Sequence, residues 1–182
     1  MKTIIPISQV LFFFFFLSSC DKAPTIPPNP NEEELITTLQ ITFIDSLGIA
    51  PNVVAKYQDL DGDGGNAPLL WDSIKLQTNT TYLANIVLLD ETKMPADTIS
   101  NEVLDEAVDH LFCFEVPDTN CVITRTDKDL NNLEIGLQST WKTKNQTSGN
   151  VRILLRHQPG IKTGDCSLGA SDVDLIFGMK IE

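Results

Sequence analysis

Leu39-Gln40-Ile41-Thr42-Phe43 alternates large apolar side chains with polar ones, so every second residue can enter a core while its neighbours face water. That period of two marks a β-strand, and it recurs along the chain. Residues 53–60 and 69–76 read as a second and a third strand. Thr81–Leu89 is the strongest, apolar on both faces at Leu83, Ile86, Val87, Leu88 and Leu89. Residues 110–116, 121–126, 133–141, 151–157 and 173–181 follow, separated by loops rich in Gly, Asn, Asp and Pro. Only one stretch changes rhythm. Ile99, Val103, Leu104, Ala107, Val108 and Leu111 fall at helical spacing, with Ser100 as N-cap and Glu102 against the positive end of the helix dipole. This predicts a short helix over 100–109. About nine short strands without strand–helix alternation predict an all-β, antiparallel two-sheet sandwich, immunoglobulin-like or similar.

The chain ahead of this pattern is of another kind. Lys2, then Ile4, Ile5, Ile7 and the unbroken apolar run from Val10 to Leu17, make a signal peptide, too short for the ~20 apolar residues of a spanning helix. It ends in Leu17-Ser18-Ser19-Cys20, the pattern of a bacterial lipobox. The sequence thus predicts a signal peptide over 1–19, removed by signal peptidase II, and acylation of Cys20, whose several chains give the stable anchoring that one chain does not. Residues 20–34 carry Pro24, Pro27, Pro28 and Pro30 before Glu32-Glu33-Glu34 and read as an extended tether. At ~3.1 Å per residue, about a dozen such residues reach roughly 40 Å from a membrane. The folded domain is expected over 35–182.

The 182 residues carry a formal charge of -12. Losing 1–19, which contain Lys2 and no acid, leaves 163 residues at -13. So acidic a chain is excluded from nucleic-acid partners, whose phosphates need Lys and Arg. Beyond a membrane the thiols meet an oxidising compartment. With Cys20 lipidated, Cys113, Cys121 and Cys166 remain. A hairpin centred on Pro117 sets Cys113 opposite Cys121, about 4.5–5.5 Å apart at Cβ, workable for a disulfide. The same two residues also suit a reduced pair of small core hydrophobes. Either way Cys166 stays unpaired.

Two sets of residues suit a metal. Asp59-Leu60-Asp61-Gly62-Asp63-Gly64 has acids at positions 1, 3 and 5 and Gly at 6, as in the first half of a calcium loop. Position 12 is Leu70 where a bidentate Glu belongs, so a weak Ca²⁺ site from Asp59, Asp61 and Asp63 competes with an ordinary Asp-capped turn. The two histidines, His110 and His157, end apolar strands beside charged neighbours. If a sandwich brings those ends together, the imidazoles with Asp109, Glu106 or Glu115 suit Zn²⁺ or another borderline metal. The alternative is two rim histidines bonded to loops. No G-x-S-x-G, HExxH, P-loop or dinucleotide motif occurs, and no catalytic residue or enzyme is expected.

Asn31-Glu32-Glu33-Glu34-Leu35-Ile36-Thr37-Thr38, residues 59–68, Asp109-His110-Leu111-Phe112 and Leu154-Leu155-Arg156-His157 together resemble a group of Bacteroidota lipoproteins often labelled type 1 periplasmic binding fold superfamily proteins. The resemblance implies a lipid-anchored, non-enzymatic accessory protein of the outer membrane, on its periplasmic or surface face, working with an uptake transporter or another envelope protein. Two α/β lobes belong to that label, whereas the alternating strands here predict one sandwich. Two functions follow from the sequence: a module binding a small ligand or metal, or a structural or adhesive surface protein making protein–protein contacts.

Overall fold

The structure is a computed structural model that describes residues 35–182 apart from 63 and 117–119. The signal peptide over 1–19, Cys20 with its tether, and Asp63 lie outside the described residues. Ten strands and one helix follow in chain order: β1 (Thr38–Asp45), β2 (Val53–Gln58), β3 (Leu70–Trp71), β4 (Ile74–Leu76), β5 (Thr81–Leu89), α1 (Ile99–Asp105), β6 (His110–Glu115), β7 (Cys121–Arg125), β8 (Gln138–Thr143), β9 (Thr147–His157) and β10 (Ala170–Ile181). They form the expected sandwich. One sheet has six strands in the order β3-β2-β1-β5-β8-β7, and the other has four in the order β4-β10-β9-β6. All pairings are antiparallel except β4 with β10. No helix among the described residues is long and apolar enough to cross a membrane.

The alternation in β1 does what its spacing predicts: Leu39, Ile41 and Phe43 are all fully buried. Next to it β5 buries Tyr82, Ala84, Ile86 and Leu88 and turns Leu83 outward. These side chains meet Val151, Ile153 and Leu155 of β9 and Phe177, Met179 and Ile181 of β10 in one continuous core. Trp141 of β8 stands at its centre, edge-on to Phe43 at 5.0 Å and to Phe114 at 5.7 Å. Edge-to-face packing is the arrangement that ring quadrupoles favour, and truncating such a buried Trp costs about 3–5 kcal/mol.

Three expectations are corrected. The apolar run 69–76 is two strands, not one, because Asp72 and Ser73 carry the chain from the six-stranded sheet to the four-stranded one. The Asp72 carboxylate accepts from the Lys56 N–H at 2.9 Å as the chain leaves. The helix is shorter than 100–109 and starts after Thr98, since the Ser100 hydroxyl is engaged by the Leu88 N–H at 2.6 Å. The third concerns sulfur. Cys113 bonds Cys166, with 6.0 Å between Cα atoms, and Cys121 is a free, buried thiol. The Cys113–Cys121 pairing required a hairpin within one sheet. Here β6 is an edge of the four-stranded sheet and β7 an edge of the six-stranded one, so residues 116–120 connect the two sheets. Cys113 therefore points outward, onto Leu111 and Leu154, where the loop after β9 brings Cys166. Cys121 packs in the core, and burial pushes its thiol up to about 12. Arg125 ties the sheets together on this side, donating to the Phe112 carbonyl at 2.9 Å and to Glu134 at 2.7 Å.

Candidate functional site

His110 begins β6 and His157 ends β9, and the register of those antiparallel strands sets them directly opposite one another. Both belong to the inward-facing phase of their strands, with Phe112 and Phe114 on one and Leu155 and Ile153 on the other. The two rings stack with centroids 4.8 Å apart and planes 8° from parallel. His110 is buried to 1 % exposure and His157 is half-buried. The turn after α1 supplies a third group. Glu106, His110 and His157 each place one ligand atom within 4.8 Å of the other two, the one such trio among the described residues.

Surrounding contacts hold this end. Nδ1 of His110 lies 3.1 Å from the Glu106 carbonyl oxygen, which can only accept, so Nδ1 carries a hydrogen there. In the neutral ring that leaves Nε2 as the lone-pair nitrogen. It faces the Asp172 carboxylate at 3.9 Å. Burial favours the neutral form and holds His110 below its usual value; the Glu106 contact pulls the other way. Of the other acids weighed from the sequence, Asp109 accepts from Gly160 N–H and Glu115 meets Arg152, so neither joins the histidines. A buried ion pair braces the loops behind. Lys162 donates to Asp129 at 2.8 Å and to the Ala107 carbonyl at 2.7 Å. Desolvation pushes Asp129 up, but Lys162 and the N–H groups of Leu133 and Asn131 outweigh it and keep the carboxyl below its ordinary range.

Asp172 was not legible in the sequence. Counting back by twos from Phe177, Leu175 and Val173 points Ser171 inward and Asp172 out. A β-bulge reverses this: Ser171 pairs with Arg156 and Val173 with Leu155, leaving Asp172 as the extra residue. Its side chain is turned in, to 9 % exposure.

Asp172 also lines a cavity of about 460 Å³ between the sheets, where β1 and β10 begin and β2 ends. Asp59 borders it from the other side. The acidic loop that follows is folded upon itself: one oxygen of Asp61 accepts both the N–H of Asn66, at 2.8 Å, and its side-chain amide, at 2.6 Å. Those donors hold the Asp61 carboxyl below its usual value. Asp59 is buried and takes the Tyr57 hydroxyl at 3.3 Å. Position 1 of the calcium spacing therefore faces the interior while position 3 caps a turn.

Comparison with known proteins returns no matching family model, no matching curated protein and no matching solved structure.

Proposed function

We propose that this chain is a lipid-anchored, non-enzymatic envelope module that binds a borderline divalent cation at Glu106, His110 and His157. The observation that carries this reading is the meeting of two imidazoles and a carboxylate at the end of a rigid strand pair. Two nitrogens and an oxygen are the donor set of many zinc sites, and three protein ligands leave a position open for a partner or transferred ligand. Zinc–ligand distances of about 2.0–2.2 Å require tetrahedral ligands roughly 3.4 Å apart, closer than the 4.8 Å spread found here. The exposed Glu106 side chain and a tilt of the half-buried His157 ring supply that movement, while His110 stays fixed by its neighbours. Anchoring rests on the lipobox at Cys20, and handover to an outer-membrane transporter is the role that fits an open, tethered site.

The test is metal analysis of the purified chain prepared without chelator, followed by Co²⁺ loading. One metal per chain and a tetrahedral cobalt spectrum are expected, both lost when His110 and His157 are replaced together by Ala. Zinc binding that survives in the double variant places the site elsewhere; no binding in the parent chain removes this reading. A structural or adhesive role has its own support: Ile44 and Leu83 are paired across β1 and β5, both about half exposed on the outer face of the six-stranded sheet. Concentration-dependent association of the metal-free chain, abolished by Leu83→Lys, would favour that alternative.

A further inference from the structure

The cavity between the sheets offers a second site, separate from the histidine trio in its chemistry. Its walls divide by character. Ile36, Leu39 and Leu175 give an apolar floor, and Asp59, Asp172 and Asp174 give three acids without a Lys or Arg among the described lining residues. The acids are not equivalent. Both Asp174 oxygens are taken by Arg152, at 2.7 and 2.6 Å. Asp172 flanks the His110 ring. Asp59 is 5 % exposed, and its Oδ1 is buried without a hydrogen-bond partner. An unfilled carboxylate oxygen is costly to bury. The Asp61 carboxyl lies within side-chain hydrogen-bond reach of Asp59.

A bare metal ion is poorly served by these groups. Among the described residues the carboxylates bordering the cavity do not gather three ligand atoms, whereas Glu106, His110 and His157 do. An ammonium group needs only one or two acceptors, and its carbon chain matches the apolar floor. The Tyr57 ring lines the same wall and gives a cation an aromatic neighbour. The volume, about 460 Å³, lies within the ordinary range for small-ligand sites, roughly 300–1,000 Å³. We propose that this cavity binds a small organic cation of the alkylammonium class, its charged head on Asp59 and its chain against Ile36, Leu39 and Leu175.

The probe is hexylammonium, titrated calorimetrically into the purified chain at low salt, with 1-hexanol as the uncharged twin. Trp71 provides an optical reading, since it packs edge-on to Tyr57 at 5.2 Å. Saturable binding of one hexylammonium per chain is expected, with a change in Trp71 emission and far weaker binding of hexanol. Asp59→Asn keeps the shape and removes the charge; it should weaken hexylammonium binding about tenfold or more, as loss of a charge-assisted hydrogen bond does. Should Asp59→Asn fail to fold, Leu175→Trp fills the cavity from β10 and should block binding. Replacing both histidines by Ala should leave hexylammonium binding unchanged, so this site and the metal reading fail separately. No saturable binding in the parent chain, equal binding of hexanol, or undiminished binding in folded Asp59→Asn overturns the proposal. Calcium binding that Asp59→Asn abolishes, without any hexylammonium binding, assigns the cavity to a metal and overturns it too.

Discussion

The acidic loop and the histidine pair carry opposite kinds of information. In the loop, Asp59 and Asp61 stand at spacings that a calcium site uses, yet the chain satisfies Asp61 with its own Asn66 two hydrogen bonds over. The histidines are 47 positions apart (157 minus 110) and show no motif, yet their rings stack at 4.8 Å. Spacing along a chain constrains only side chains that a short loop can gather. Strand register gathers residues of any separation, and it does so rigidly, because each pair is fixed by the ladder on both sides. A site made by register is invisible to motif reading until the pairing of strands is known.

The contrast predicts that the histidine end depends on distant contacts and the loop on local ones. The largest effect is expected from Lys162→Met. It leaves the Asp129 carboxylate buried without its cation, which costs about 3–5 kcal/mol. Chemical denaturation should record that loss, and zinc affinity should fall with it because Lys162 also holds the Ala107 carbonyl behind the trio. Unchanged stability would show that the brace is dispensable. Next is Cys166→Ser. The bond it removes spans 53 residues, and loop entropy alone assigns such a crosslink about 4 kcal/mol, with measured losses commonly 2–5. The parent chain and Cys121→Ser, which keeps the bond, should both lose the same amount under reductant, whereas Cys166→Ser should not respond to reductant at all. Mass mapping that finds Cys113 bonded to Cys121 would break the sheet assignment itself.

A smaller effect concerns acid. Asp129 and Asp45 are both held below the usual carboxylate value, Asp129 despite desolvation and through Lys162, Asp45 through the N–H groups of Ala50, Leu47 and Ile49. A depressed folded value means the unfolded chain takes up protons first as pH drops. Stability should therefore be flat near neutrality and decline as pH falls through and below 3.8, the unfolded value of both. Asp45→Asn should shallow that decline; an unchanged profile assigns the acid sensitivity to other carboxylates. The smallest effect is expected from Asp61→Ala, a slight drop in melting temperature equal in Ca²⁺ and in chelator. A calcium-dependent rise that the variant loses would restore the loop as a metal site and erase the contrast.

Much of the fold was legible because β-periodicity is a burial signal. Leu39, Ile41 and Phe43 are buried as their alternation requires, and Thr81–Leu89 is a strand along its full length. What failed were inferences about which sheet a strand joins. The run 69–76 looked continuous because both of its halves are apolar, although Asp72-Ser73 divides it between sheets. Cys113 and Cys121 looked opposed because the connection at Pro117 has hairpin length, and length does not say whether the chain turns back or crosses over. The candidate site was half legible. Both histidines were visible as polar residues at apolar strand ends, with Glu106 among their possible partners. Asp172 was hidden because one extra residue in β10 inverts the alternation, and Asp59 announced a metal loop while lining a cavity.

The position of β10 has a consequence for how the chain is made. β10 lies between β4 and β9, and β4 has no other partner in its sheet. β10 also comes after every other described strand. On a ribosome, or in a channel that passes the chain from its first residue, β4 and the β9–β6 pair emerge with nothing to join them. The sandwich can close only when residues 170–181 have appeared. A nascent chain arrested before 170 should be open to protease over its whole length, and release of the last twelve residues of β10 should close it in a single step. A domain wired this way stays threadable for as long as it is being threaded.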